Sequence, residues 1–504
     1  MRTLGELLES SEDDDTPAVY VGDTVVSRAE LRALADALGT LLGKTGVRPG
    51  QAVAAMLSND AATVAALFGV WSANAAYLPL NPRLTDAEVA RLVQATRPAV
   101  VVTDEAGADR FPDLPTVVAT ADGWRAPTGR VTETHAYESG VALIQSTSGT
   151  TGRPKSVLLR HDTVLDLLEP VLRNLLGSRK TGADGAPRKA PMPNLIPTSL
   201  SLWAGIYNVL FAFLVGAPVV LIDRFEPEGF ARTVKRFGIR STVLPPAAMV
   251  MLCDDPRITS LEPLRIVRSI SAPLSPLQAR RFRDKFGVTV LNCYGQTEIG
   301  GEIVGWNAAD ARAFGESKLG AVGRANPGVQ IRIADDTGNA TQGEVQVRTP
   351  SLSSGYADGT QLDDRMTDDG WFRTGDIGHL DADGFLWIDG RVSDMINRGG
   401  LKVFPAEVEE VLRLSPAVAE CAVVGVPDIR LGEVPYAFVV FRPGTDAGDT
   451  ELDALCREHL APYKVPVRFT RLDALPRNDI GKVLSPRLVE RKFYRAPADG
   501  GTQP

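Results

Sequence analysis

At 504 residues the chain is too long for one hydrophobic core, so two or more domains are expected. Its 44% hydrophobic content is ordinary for a globular protein, and a net charge of −8 argues against a nucleic-acid surface. The four cysteines, Cys253, Cys293, Cys421 and Cys456, lack paired spacing, which argues against a disulfide framework or zinc site and for a reducing compartment. Four scattered histidines (His135, His161, His379, His459) argue equally against a histidine-based metal site or proton relay.

Residues 1–15 are acidic and have no apolar centre, so they do not form a signal peptide. A capping box, Ser27-Arg28-Ala29-Glu30, opens a helix expected to run to about Leu42. A strand at 53–57, a helix at 61–72 and a strand at 76–80 follow. Thr85-Asp86-Ala87-Glu88 caps the next helix, and 99–103 reads as another strand. Such alternation implies a largely parallel sheet covered on both faces. Residues 178–193, rich in Gly, Pro, Arg and Lys, read as a surface loop. The longest apolar stretch, 202–222, is broken by Gly205, Asn208, Gly216 and Pro218. It reads as a buried helix (203–214) and a strand (219–222), not a membrane span. The rhythm continues with a helix at 227–236 and strands at 241–244, 265–270 and 288–291. Residues 320–388 change to short alternating runs with many glycines, a β-rich subdomain. A small α+β unit closes the chain, with a helix at 405–414, strands at 421–426 and 436–441, and a helix at 451–459. The expected architecture is α/β: a large N-terminal domain at 1–391 and a small mobile C-terminal domain at 392–504, in a cytoplasmic protein.

The chemistry concentrates in a few runs. In Ile144-Gln145-Ser146-Thr147-Ser148-Gly149-Thr150-Thr151-Gly152-Arg153-Pro154-Lys155, hydroxyls alternate with glycines and a lysine closes the run. Glycines let backbone N–H groups turn around an anion, hydroxyls add donors, and Lys155 adds a compact positive charge, a set that suits a polyphosphate. The spacing is not that of a Walker A loop. Asn292-Cys293-Tyr294-Gly295-Gln296-Thr297-Glu298 follows a strand, where α/β sheets bind ligands. Glu298 could hold Mg²⁺, Tyr294 offers a ring face, and Asn292 an amide that can read adenine.

These runs resemble the adenylate-forming (ANL) superfamily, which includes acyl-CoA synthetases, aryl-CoA ligases, peptide-synthetase adenylation domains and firefly luciferase. The first run is similar to its phosphate loop, with Ser156 where glycine is usual. The second is similar to its Y-G-x-T-E signature. The resemblance implies that Asn292 and Tyr294 meet adenine, with Gly295 between, that Thr297 meets the α-phosphate, and that Glu298, with Thr147, holds magnesium. Ser271-Ala272-Pro273 resembles the segment along adenine's other side. Asp376, in Thr374-Gly375-Asp376, corresponds to the acid that grips both ribose hydroxyls. Arg391 corresponds to the arginine that reaches the nucleotide, and Ser393 stands at the interdomain pivot, where Asp or Lys is usual. Gly399, Gly400 and Lys402 resemble the loop lining a pantetheine tunnel. Lys482, in Gly481-Lys482, resembles the C-terminal lysine that bridges the substrate carboxylate and the α-phosphate. The signatures occur in the family's order from Ile144 to Lys482.

By that resemblance the cofactors are ATP, Mg²⁺ and coenzyme A, and Lys155, Glu298 and Lys482 carry catalysis. The acyl pocket falls on Ser199, Ser201 and Trp203, with Gly300 and Gly301 after the magnesium glutamate. Amino-acid-activating members carry an aspartate where Ser199 stands, so a non-amino carboxylic acid is expected, in a roomy apolar pocket. Val426-Pro427-Asp428 and Gly432-Glu433-Val434-Pro435 resemble acyl-CoA synthetases, favouring CoA over a carrier protein as acceptor. Alternatives are a carrier-loading enzyme, a luciferase-like oxygenase and a silent nucleotide-binding module. A monomer or homodimer is expected.

Overall fold

The computed structural model describes residues 3–9, 15–127, 131, 135–147, 155–176, 191–334, 341–477 and 483–494. The chain divides into two compact units, Met1–Ile331 with Val347–Phe372, and Arg332–Gln346 with Arg373–Pro504.

The first unit is layered α/β. Its largest sheet has seven strands in the order Gly123–Arg125, Thr116–Thr120, Val100–Thr103, Ala52–Met56, Ala76–Pro79, Val141–Thr147, Lys155–Arg160. The five central strands run parallel, and the two edge strands are antiparallel. The central strands are apolar on both faces, as a sheet covered by helices requires. Helix Ala61–Ser72 is apolar all round and correspondingly buried. Capping boxes set two helix starts. The Glu30 amide donates to Ser27 Oγ at 3.2 Å and the Ser27 amide to Glu30 Oε2 at 2.8 Å; Thr85 and Glu88 repeat the arrangement before helix Asp86–Thr96.

A second parallel sheet pairs Ser241–Leu244, Ile266–Ser269 and Thr289–Asn292. Helices Pro227–Phe237, Pro246–Asp254 and Pro276–Phe286 share a core with it through Phe230, Leu252, Val267 and Phe282. The carboxyl ends of the strands lead into Ser271–Pro273 and Cys293–Glu298, the end of an α/β sheet that takes ligands.

In the second unit, strands Gly343–Arg348, Phe372–Leu380 and Leu386–Arg391 belong to a four-stranded sheet that begins with Gln330–Ala334. A long antiparallel hairpin, Val418–Asp428 with Gly432–Phe441, then organises the C-terminal fold. Its residues alternate between two cores. Cys421, Val423, Ala437 and Val439 pack with helices Pro405–Leu412 and Asp449–His459, while Ala422, Val424, Tyr436 and Phe438 pack with Leu488 of the last helix. Among the described residues no helix is long and apolar enough to cross a membrane.

Candidate functional site

In the first unit, strands Val141–Thr147 and Lys155–Arg160 flank the phosphate-loop run. Ser148, Gly149, Thr150, Thr151 and Gly152 lie outside the described residues. The two ends of the run are brought together: Thr147 pairs with Lys155 in register, and its Oγ1 donates to the Lys155 carbonyl at 3.1 Å. The Lys155 ammonium is 4.8 Å from the ring centre of Tyr356. Tyr356 is held by backbone pairing, with the Ala357 amide on the Ser156 carbonyl at 2.8 Å and the Leu158 amide on the Gly355 carbonyl at 2.9 Å.

The Tyr356 hydroxyl donates to Glu298 Oε1 at 3.4 Å, so one aromatic side chain spans from the loop lysine to the candidate metal carboxylate. Burial, then the Glu298 charge, pushes the Tyr356 hydroxyl above its ordinary pKa, keeping it a neutral donor. Arg365 Nη1 donates to the same Glu298 oxygen at 3.2 Å and Nη2 to Gln296 Oε1 at 3.3 Å. The Arg365 guanidinium also lies over the Phe372 ring, 4.4 Å from its centre. Glu298 sits in the short 3₁₀ turn Thr297–Ile299, fixed through its carbonyl by the Ser353 amide at 2.8 Å. Among the described residues no cluster of three or more His, Cys, Asp or Glu could cage a metal. Magnesium held by one carboxylate, phosphate oxygens and water needs no such cluster, so the partly exposed Glu298 fits that ion.

The adenine-side candidates are placed by the second sheet. Asn292 ends strand Thr289–Asn292 and is buried, as is Tyr294. Gly295 pairs with Glu302, and a Cβ there would fall 1.7 Å from the Gly301 carbonyl, so only glycine fits. Ser271 has φ +69°, a left-handed conformation that a non-glycine side chain adopts at some cost. It leads into exposed Ala272 and Pro273.

The acyl-pocket candidates also converge. Trp203 opens helix Trp203–Leu214 and donates Nε1–H to the Gly300 carbonyl at 2.7 Å. A Cβ on Gly301 would lie 2.8 Å from that indole nitrogen. The Ser199 and Ser201 hydroxyls bond each other at 2.7 Å. Polar groups also stand near these candidates. Glu302 follows Gly301 and pairs with Arg268, and Tyr207 stands one turn beyond Trp203.

The second unit carries the remaining candidates. Asp376 is buried and pairs across strands with Arg391, whose Nε lies 3.1 Å from Asp376 Oδ1. Gly375 has φ +72° within strand Phe372–Leu380 and its amide donates to Glu344 Oε1 at 3.1 Å, which fixes the backbone before the aspartate. Ser393 is exposed in the 3₁₀ turn Val392–Asp394, its hydroxyl on Asp394 Oδ1 at 2.9 Å. Gly399 and Gly400, with φ of +60° and +92°, form the two-residue turn between Ile396–Arg398 and Leu401–Val403, where Lys402 pairs with Asn397. Lys482 lies outside the described residues.

The sequence reading missed Tyr356, Arg365, Arg268, Glu302 and Tyr207. Tyr356 ends a Ser-Gly-Tyr run that could have marked it; the other four carry no local signal.

Comparison with known proteins identifies the family. Residues 9–357 match the AMP-binding enzyme family, and residues 407–482 match the AMP-binding enzyme C-terminal domain. The chain belongs to the AMP-binding enzyme family, in its acyl-CoA synthetase branch. It is 33% identical to an indoleacetate–CoA ligase of Aromatoleum aromaticum, over 95% of this chain and 96% of that one. It is 30% identical to a fatty acid–[acyl-carrier-protein] ligase of Streptomyces coeruleorubidus, over 96% of this chain and 94% of that one. Among solved structures it resembles the O-succinylbenzoate coenzyme A synthetase of Bacillus subtilis in complex with ATP and magnesium. The TM-score is 0.82 at 27% identity, covering 96% of this chain and 98% of that one.

Proposed function

We propose that the protein is an ATP-dependent acid–CoA ligase. A non-amino carboxylic acid attacks the α-phosphorus of ATP and expels pyrophosphate; the CoA thiol then displaces AMP from the acyl-adenylate. The observation that carries this reading is the continuous link Lys155–Tyr356–Glu298 beside the hydroxyl-rich loop. A cation suited to the outer phosphates and a carboxylate suited to their metal thus meet one side chain, the lysine at its ring and the glutamate at its hydroxyl.

Lys155 and the hydroxyls of Thr147–Thr151 hold the β- and γ-phosphates. Glu298 holds magnesium, which when bound neutralises phosphate charge. Asn292, Tyr294 and the Ser271–Pro273 segment flank adenine, with Thr297 on the α-phosphate. Asp376 grips the ribose and Arg391 the nucleotide. Lys482 collects charge where carboxylate meets phosphorus. The attacking carboxylate is already ionised at neutral pH, so no general base is needed. For the second step the C-terminal domain, residues 392–504, turns about Ser393, withdrawing Lys482 and letting Gly399, Gly400 and Lys402 line the path of the pantetheine arm. The protein acts in the cytoplasm as a monomer or homodimer.

One observation favours a carrier protein as acceptor instead: Leu401 and Leu431, 50% and 38% exposed, flank the Gly399–Gly400 turn as an apolar surface. Incubation with ATP, magnesium, a panel of fatty, aromatic and terpenoid acids and CoA tests both. Pyrophosphate release with acyl-CoA in the mass spectrum supports the ligase. Pyrophosphate release with thioester only on an added phosphopantetheinyl carrier moves the acceptor to that protein. Release of pyrophosphate with no acid would sink both.

A further inference from the structure

Beside the Trp203–Gly300 contact lies a polar cluster that the phosphoryl chemistry does not use. Strand Ile266–Ser269 alternates, so Val267 enters the helix-covered core while Arg268 turns to the opposite face. There its guanidinium pairs with Glu302, and nearby the Cys293 thiol donates to the Ser269 carbonyl at 3.0 Å. Tyr207, whose ring lies 5.9 Å from that of Trp203, brings its hydroxyl close enough to feel both charges. That hydroxyl is buried and, among the described residues, has no hydrogen-bond partner. Burial, then Glu302, pushes its pKa up, so it stays a neutral O–H. The Arg268 and Glu302 side chains keep 16% and 11% of their surface exposed, so the ion pair borders open space rather than closed core.

A buried hydroxyl without a partner is disfavoured, and folded proteins rarely leave one. An ion pair serving only to join two strands would not require it. We propose that this cluster receives a neutral hydrogen-bond-accepting oxygen, a ketone carbonyl, carried by the acid substrate away from its carboxylate. The enzyme is then selective for oxo acids over plain hydrocarbon acids. The inference rests on the acid–CoA ligase reading above and names its substrate class. Two features choose the carbonyl. The groups on offer are donors: the Tyr207 O–H, and the guanidinium of Arg268, one of whose N–H groups bonds Glu302. The charges cancel, one positive against one negative, so a second substrate carboxylate would meet Glu302 without a cation left to receive it.

The test uses the full-length enzyme with ATP and magnesium, reading kcat/KM for pyrophosphate release. Straight-chain acids of about eight to twelve carbons, the ketone moved along the chain, are each paired with the unsubstituted parent and the dicarboxylic acid of equal length. At least one oxo acid is expected to exceed its parent by about tenfold or more, with the dicarboxylic acids below both. Tyr207→Phe, which removes only a hydroxyl with no partner among the described residues, should bring that ratio towards one, chiefly through KM for the oxo acid. Glu302→Gln should raise the dicarboxylic acids relative to their parents; if that variant does not fold, Tyr207→Phe carries the test. The proposal is overturned if every parent equals or exceeds its oxo partners, or if Tyr207→Phe leaves the preference intact. Failure of the ligase reading looks different: no acid of any kind drives pyrophosphate release.

Discussion

Arg365 and Glu298 share a hydrogen-bonded ion pair at 3.2 Å, with 27% and 14% of their side chains exposed. On the proposed role of Glu298, a guanidinium and a magnesium ion must share one carboxylate. Like charges a few ångströms apart that water screens well repel by about 1 kcal/mol. Arg365→Met should therefore lower the magnesium concentration for half-maximal pyrophosphate release, by about three- to tenfold. Glu298→Gln should raise it and cut the rate at least about a hundredfold. Magnesium titrations at fixed ATP decide the matter. A higher requirement in Arg365→Met would show that the arginine positions Glu298 instead of competing for it.

Tyr356 can be divided by mutation. Tyr356→Phe keeps the ring under Lys155 and removes only the hydroxyl on Glu298. Tyr356→Ala removes both. A cation–π contact at an exposed lysine contributes about 0.5–1 kcal/mol. KM for ATP should then rise about two- to fivefold further in the alanine variant than in the phenylalanine one. Equal values in the two would show that the ring does nothing for Lys155.

How much of this was legible in the sequence depended on distance along the chain. Helices Ala61–Ser72 and Trp203–Leu214 and strand Ser241–Leu244 were read with their observed bounds, because each is an apolar run between local stop signals. Both capping boxes were legible, since cap and partner are three residues apart. Strand Pro17–Val21 was missed: its hairpin partner Thr24–Ser27 follows across the Gly22-Asp23 turn, a local signal left unread, while its parallel partner Val219–Leu221 lies about two hundred residues on. Helix His161–Leu176 was missed as well; Pro170 inside it breaks the usual pattern. The site divides in the same way. Lys155 and Glu298 stand in contiguous runs that the chemistry demands. Tyr356, Arg365 and the Arg268–Glu302 pair come from separate segments and acquire meaning only when folded.

The two half-reactions should separate by mutation. Lys482→Ala removes the proposed bridge between carboxylate and α-phosphate, so pyrophosphate release should fall by about a hundred- to thousandfold. Transfer from chemically prepared acyl-adenylate to CoA should not fall with it. Gly400→Ala places a Cβ where φ is +92°, distorting the turn beside Lys402. It should slow acyl transfer relative to adenylation by about tenfold. Single-turnover assays of each step check both; equal losses in the two steps would dismiss the division of labour.

His161 ties the start of the chain to the first unit and makes its stability depend on pH. Its Nδ1 accepts the Leu4 amide at 3.1 Å, and its ring packs edge-on to Trp71 at 5.6 Å. Burial pushes its pKa down to about 4, with Asp162 pulling weakly the other way. The unfolded chain thus binds a proton near pH 6.5 that the folded chain refuses until about pH 4. Stability is fully present above the unfolded value and is lost as pH falls through this window. Between about pH 7 and about pH 4.5 the loss from this group alone is about 2 kcal/mol. Protonation also turns Nδ1 from acceptor to donor, so it opposes the Leu4 N–H directly. In His161→Asn a side-chain oxygen can still accept that N–H but does not titrate. Urea unfolding at the two pH values should show a difference smaller by about 2 kcal/mol in this variant than in the parent. If the two proteins lose stability in parallel, acid sensitivity resides in the carboxylates and not in this histidine.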